Sequence, residues 1–85
     1  MKIIFHRNFK KQYKKLPKKI QKRFSDRFEI FLKDNNHPLL NIHLLHGQSM
    51  SLKSMNVTGD YRALFVKKKS KVTFYHIGTH SELYE

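Results

Sequence analysis

Two apolar segments, Tyr61 to Lys67 and Lys71 to Ile77, constrain the fold of this chain more than any other feature. Both are rich in aromatic and β-branched residues, which suit a pleated, half-buried surface. Lys68-Lys69-Ser70 between them is a polar turn, so the pair reads as an antiparallel hairpin. Thr58-Gly59-Asp60 forms a second turn ahead of it, and Met50 to Val57 alternates weakly, with Leu52 against Lys53 and Met55 against Asn56. Three consecutive antiparallel strands follow from this pattern. Between Asp60 and Tyr84 an acid, a cation, two histidines and two tyrosines fall at the strand ends, where side chains converge.

The remainder of the chain supplies a wall for that sheet. Lys2 to Phe5 carries Ile3, Ile4 and Phe5 and reads as a first strand. Asn8 suits a helix N-cap, since its side-chain oxygen can accept from a free first-turn amide. Phe9, Tyr13 and Leu16 recur at helical spacing, with Lys10, Lys11, Lys14 and Lys15 on the other face. Pro17 ends that helix and suits the first turn of the next. The second helix is expected over Pro17 to Lys33, with Ile20, Phe24, Phe28, Phe31 and Leu32 on its apolar stripe. The three phenylalanines of that stripe read as core anchors. Asp34-Asn35-Asn36-His37-Pro38 is a stop signal. Leu39 to Gly47 is of mixed character, and Gly47-Gln48-Ser49 should turn the chain.

The expected fold is α+β: an N-terminal strand and a two-helix hairpin packed on an antiparallel sheet formed mainly by the C-terminal three-strand meander. One sheet face would be covered by the helices and the other left open. Residues 1–85 would form a single domain. No apolar run reaches the roughly 20 residues of a membrane span, and Met-Lys-Ile-Ile-Phe-His-Arg is charged too early for a secretory leader. With no cysteine to form disulfides, the chain reads as cytoplasmic.

Charge points to the ligand class. Eighteen Lys+Arg against six Asp+Glu give a net charge of +12. Such a field attracts phosphate backbones through counterion release, although a solubility surface or an acidic protein partner would use the same charge. No pair of the six histidines has the helical i, i+4 spacing of a metalloprotease with its glutamate, and there are no cysteines, so no metal site and no cofactor are expected. No glycine-rich phosphate loop occurs either, since the three glycines each stand beside a turn. Acid–base cleavage of a phosphodiester remains. It needs a base for the ribose 2′-hydroxyl, an acid for the leaving 5′-oxygen and a cation at the phosphorane. Histidine suits the two proton transfers.

His43-Leu44-Leu45-His46-Gly47, Gly59-Asp60-Tyr61-Arg62 and Gly78-Thr79-His80-Ser81-Glu82-Leu83-Tyr84 together resemble the RelE/ParE superfamily of bacterial toxins, nearest its YafQ-like branch. The likeness spans essentially the whole chain. It implies a RelE-like fold and a type II toxin that cuts mRNA in the ribosomal A site by metal-free 2′-hydroxyl attack, held inactive by a cognate antitoxin. Its partners would then be ribosome, mRNA and antitoxin. By the same resemblance His80 is the leading general acid or base, His43 a second proton-transfer residue, and Asp60 the group that orients a histidine. Tyr61 and Tyr84 would position bases or the ribose, and Arg62 would meet the phosphate.

The chain departs from the family pattern at three places. Asn56 stands where relatives carry a histidine, His76 where they carry an arginine, and Tyr61 where tryptophan is commoner. The phosphate-stabilising cation is then Arg62, Lys53 or a protonated His76, and Asn56 contacts RNA without moving protons. Plainer roles stand beside these. His80 would be a surface histidine, His43 a loop histidine held by backbone, and His46 and His76 structural. Asp60 would be a turn residue, and Arg62 an ion-pair partner of Glu82 or Glu85. Two other functions fit the same fold: a ParE-like inhibitor of DNA gyrase, which needs no His43, Asp60 and His80, and a degenerate RNA-binding module.

Overall fold

The computed structural model describes residues 1–45, 47 and 51–84, so His46, the Gln48-Ser49 turn, Met50 and Glu85 lie outside the described residues. Strand β1 is Lys2–Phe5 and helix α1 is Arg7–Lys14. The cap of α1 is His6 rather than Asn8. The His6 amide still donates to the Phe74 carbonyl at 2.9 Å, while its Nδ1 accepts from the Asn8 amide at 3.1 Å. His6 therefore continues the β1 pairing and caps the helix at once, which leaves Asn8 inside the first turn.

Helix α2, Lys18–Lys33, starts one residue after Pro17, whose extended backbone serves as its N-cap. The Gln21 side chain reaches back and donates to the Tyr13 carbonyl at 2.9 Å. The same carbonyl also accepts from the Leu16 amide at 3.1 Å, and the side-chain bond ties the two helices together. On α2, Phe24 and Phe31 are buried, but Leu32 is 51% exposed, against expectation. It lies about 100° around the helix from Phe31 and falls off the rim of the stripe. A 3₁₀ turn, Pro38–Leu40, follows, and Arg27 donates to its Leu39 carbonyl at 2.8 Å.

Four more strands complete the sheet among the described residues: β2 His43–Leu44, β3 Lys53–Asn56, β4 Tyr61–Lys68 and β5 Lys71–Thr79, with a short helix α3, His80–Tyr84, after them. Their order is β1-β5-β4-β3-β2. The β3-β4-β5 meander is antiparallel as expected, and β1 adds to β5 in parallel. Beyond the end of β1 the β5 edge has no strand partner, and Gln12 of α1 accepts from the Ile77 amide at 2.9 Å in its place. Buried amides need such partners.

The core lies between the sheet and the two long helices. Phe74 is fully buried at its centre, with ring centroids of Phe5, Phe9, Phe24, Phe28, Phe31 and Phe65 all within 5.3 to 5.8 Å. The chain's seven phenylalanines thus form one cluster around a single ring. The opposite sheet face is less open than the sequence suggests. Leu52, Leu64 and Val66 are buried there under Leu45, Tyr75, Leu83 and Tyr84. Strand β4 carries four consecutive buried residues, Ala63 to Val66, because both of its faces are covered. Among the described residues no helix is long and apolar enough to cross a membrane.

Candidate active site

Strand register assembles the site. His43 pairs with Ser54, Ser54 with Leu64, and Leu64 with His76. Directly paired residues project to the same side of a sheet. These four therefore form one row across β2, β3, β4 and β5, on the face away from α1 and α2. At the usual inter-strand spacing its two end histidines stand roughly 14 Å apart along the backbone. Asn56, Arg62 and Gly78 make the neighbouring row.

His76 reaches this face through a β-bulge. The register steps from Leu64↔His76 to Phe65↔Phe74, so Tyr75 is the extra residue. Simple alternation from Phe74 would send His76 toward the helices. The inserted residue reverses the parity beyond it, as bulges do, and keeps both Phe74 and Ile77 in the core. Burial lowers the His76 pKa from 6.5, and the nearby His6 lowers it further. His76 is then uncharged at neutral pH, which suits a proton acceptor and runs against a role as standing cation.

Helix α3 brings His80 and Tyr84 over the same face. Thr79 and Glu82 form a capping box: Glu82 accepts from the Thr79 amide at 2.7 Å, and the Glu82 amide donates to Thr79 Oγ1 at 3.3 Å. The Thr79 amide, and then its hydroxyl, hold the Glu82 carboxyl below its ordinary pKa of 4.5. Gly78 makes room for this turn, since a Cβ there would stand 3.0 Å from Glu82 Oε1 and 3.5 Å from Leu83 Cδ2. Tyr84 lies edge-on to His80, with centroids 4.3 Å apart at 88°, and donates its hydroxyl hydrogen bond to Ser54 Oγ at 2.8 Å.

The other expected residues divide. His43 is exposed, and its Nδ1 bonds the Asn41 carbonyl at 3.0 Å. A carbonyl only accepts, so Nδ1 carries a proton, and in the neutral ring Nε2 is the acceptor. Asp60 acts on His80 through its backbone, its carbonyl accepting from the His80 amide at 3.0 Å. Its carboxylate makes no hydrogen bond or ion pair among the described residues. One Arg62 nitrogen, Nη1, donates to the carbonyls of Thr58, Gly59 and Tyr61 at 2.9, 3.0 and 3.2 Å, locking the loop ahead of β4. Arg62 is therefore not the ion-pair partner of Glu82. Asn56 Oδ1 is buried and meets no donor among the described residues.

Two expected residues leave the group. Lys53 pairs with Phe65 and lines a recess with Phe31 and Asn35 on the helix side of the sheet. Tyr61 packs against the helix-side core beside Gln12, Leu16 and Ile77. Strand parity separates both from the histidines. Ser54 is the residue that sequence reading missed. Its one visible signal is a polar residue between apolar neighbours in a strand. Among the described residues, no three His, Cys, Asp or Glu side chains cluster as metal ligands would.

No protein-family model and no curated protein matches this sequence. Solved structures do. YafQ from E. coli superposes with a TM-score of 0.83 at 15% identity, covering 98% of this chain and 97% of its own. A YoeB/ParE toxin from Agrobacterium tumefaciens gives 0.78 at 14% identity, over 94% and 99% of the two chains. A DinJ–YafQ complex from E. coli gives 0.73 at 18% identity, over 98% and 97%. The chain shares its fold with these structures over at least 94% of its length.

Proposed function

We propose that this chain is a YafQ-like toxin of a type II toxin–antitoxin system, a single-domain, cytoplasmic, ribosome-dependent mRNA endoribonuclease. The observation that carries the reading is the convergence of His43, His76, His80 and Tyr84 on one sheet face around Ser54, in a chain of net charge +12. Two of the three sequence motifs meet there, and Arg62 of the third stands in the neighbouring row. Histidines at that face supply the proton transfers of phosphodiester cleavage without a metal or cofactor.

In the proposed reaction, Nε2 of His43 takes the proton of the ribose 2′-hydroxyl, and the 2′-oxygen bonds to phosphorus. The bond from phosphorus to the 5′-oxygen breaks, and His80 in its protonated form delivers a proton to that oxygen. A 2′,3′-cyclic phosphate and a 5′-hydroxyl result. The Arg62 donors other than Nη1 face no partner among the described residues and serve the phosphorane. Tyr84 positions the ribose or base. Asn56 Oδ1 accepts from a substrate hydroxyl or amine, which satisfies a buried acceptor otherwise left bare. Asp60 fixes the start of α3. DinJ–YafQ is a complex of the same fold, and an antitoxin with an acidic segment is the partner expected for so basic a surface.

The test is cleavage of mRNA on purified ribosomes, mapped by primer extension. Wild type should cut at codon boundaries, and His80→Ala and His43→Ala should each lose about 100-fold or more, the scale of a removed acid or base. Intact mRNA together with gyrase-linked DNA damage on induction would replace this reading with the ParE-like one. An absence of any growth arrest would favour the degenerate RNA-binding module.

A further inference from the structure

We infer that Ser54 is a positioning residue of this site: its hydroxyl fixes the Tyr84 phenol, and through that ring the imidazole of His80. The role of His80 itself rests on the function proposed above. The geometry does not. Ser54 is completely buried, and among the described residues it is the fully buried residue with a polar side chain. Its cross-strand partner on β4 is the buried Leu64, which clusters with Leu52 and Val66 on the same face. A hydroxyl in such a place costs stability unless it is bonded, and a strand there would favour a β-branched aliphatic residue. The Tyr84 hydroxyl, 30 residues away in sequence, donates to Ser54 Oγ at 2.8 Å.

Helix α3 has only five residues, too few to hold itself. Its start is secured by the Thr79–Glu82 capping box and its end by the Tyr84–Ser54 bond. Between those two points lies His80, with the Tyr84 ring edge-on against it at 4.3 Å. Releasing the phenol frees that ring to turn, and the imidazole loses the wall that selects its rotamer. Ser54 is also the direct cross-strand partner of His43. One buried side chain is therefore linked to both proton-transfer groups, to His43 by strand pairing and to His80 through the Tyr84 ring.

The test uses the full chain with Ser54→Ala, Ser54→Thr and Tyr84→Phe, read in two ways. Tyr84→Phe keeps the half-buried ring, so it reports on the hydroxyl even if Ser54→Ala folds poorly. In ribosomal cleavage, Ser54→Ala and Tyr84→Phe should each lower kcat about tenfold with KM little changed. The double variant should lose no more than either single one, since both remove the same bond. Ser54→Thr, which keeps Oγ, should restore most of the rate. Independently of any RNA, the His80 ring resonances should shift in both single variants. Unmoved His80 ring resonances in Tyr84→Phe, or losses that multiply in the double variant, would overturn the inference. A wild-type protein that cuts no mRNA but shows the His80 shift would uphold the positioning role and sink only the nuclease reading.

Discussion

At His76, desolvation decides which protonation state the fold accepts. Burial and the nearby His6 both lower its pKa from 6.5, so the folded protein resists charging it while the unfolded chain does not. Below about pH 6.5 the unfolded state then binds the extra proton first, and stability falls as pH drops from there through the folded-state value. Urea unfolding midpoints at pH 7.5 and pH 5.5 should show this loss, and His76→Gln should flatten it. The type of this residue was plain in the sequence, but its face was not. Period-two alternation places His76 with Phe74, and the bulge at Tyr75 moves it to the opposite side. The same parity, undisturbed along β3 and β4, carries Lys53 and Tyr61 away from the site.

Among the elements, α3 depends most on its setting. Five residues without an apolar stripe do not announce a helix, yet Thr79-x-x-Glu82 is a legible capping signal that marks its start. Gly78 is the clearance that lets this turn fold back on β5. Gly78→Ala should push the Glu82 carboxylate a few tenths of an ångström from its place on the Thr79 amide and weaken that bond. The Thr79 amide should then exchange its hydrogen faster, and cleavage should fall by less than in His80→Ala. Strands β4 and β5 need no such help, since their aromatic and β-branched content already specifies them. Strand β2 has only two residues, and it exists because β3 offers it an edge.

For the molecule as a whole, the phenylalanine cluster is the main store of stability. Phe74 touches all six other phenylalanines. Phe74→Ala should cost about 3–5 kcal/mol, a large part of the roughly 5–15 kcal/mol available to a domain. Urea denaturation followed by circular dichroism measures it, and an unfolded variant at 37 °C would be unsurprising. The cations are organised differently. Among the described residues the ion pair is the exposed Lys22–Asp26, so most of the positive charge faces solvent rather than a partner within the fold. Such surface pairs add little, and the surplus remains available to a polyanion.

The amino-acid sequence by itself determined the helical hairpin, the antiparallel meander, the basic surface and the residue types of the site. Each follows from local periodicity, turn chemistry or a count of charges. Only the tertiary structure decided which of those residues share a face. That depends on strand register, on one bulge that reverses parity within β5, on the parallel pairing of β1 to β5, and on the folding of α3 back over the sheet. The β1–β5 pairing and the seat of α3 join segments far apart in the chain, and the bulge is a shift in pairing, so local propensity fixes none of them. The Ser54–Tyr84 bond is the clearest case: two ordinary residues acquire a shared position only because the chain turns back after β5 and brings one onto the other.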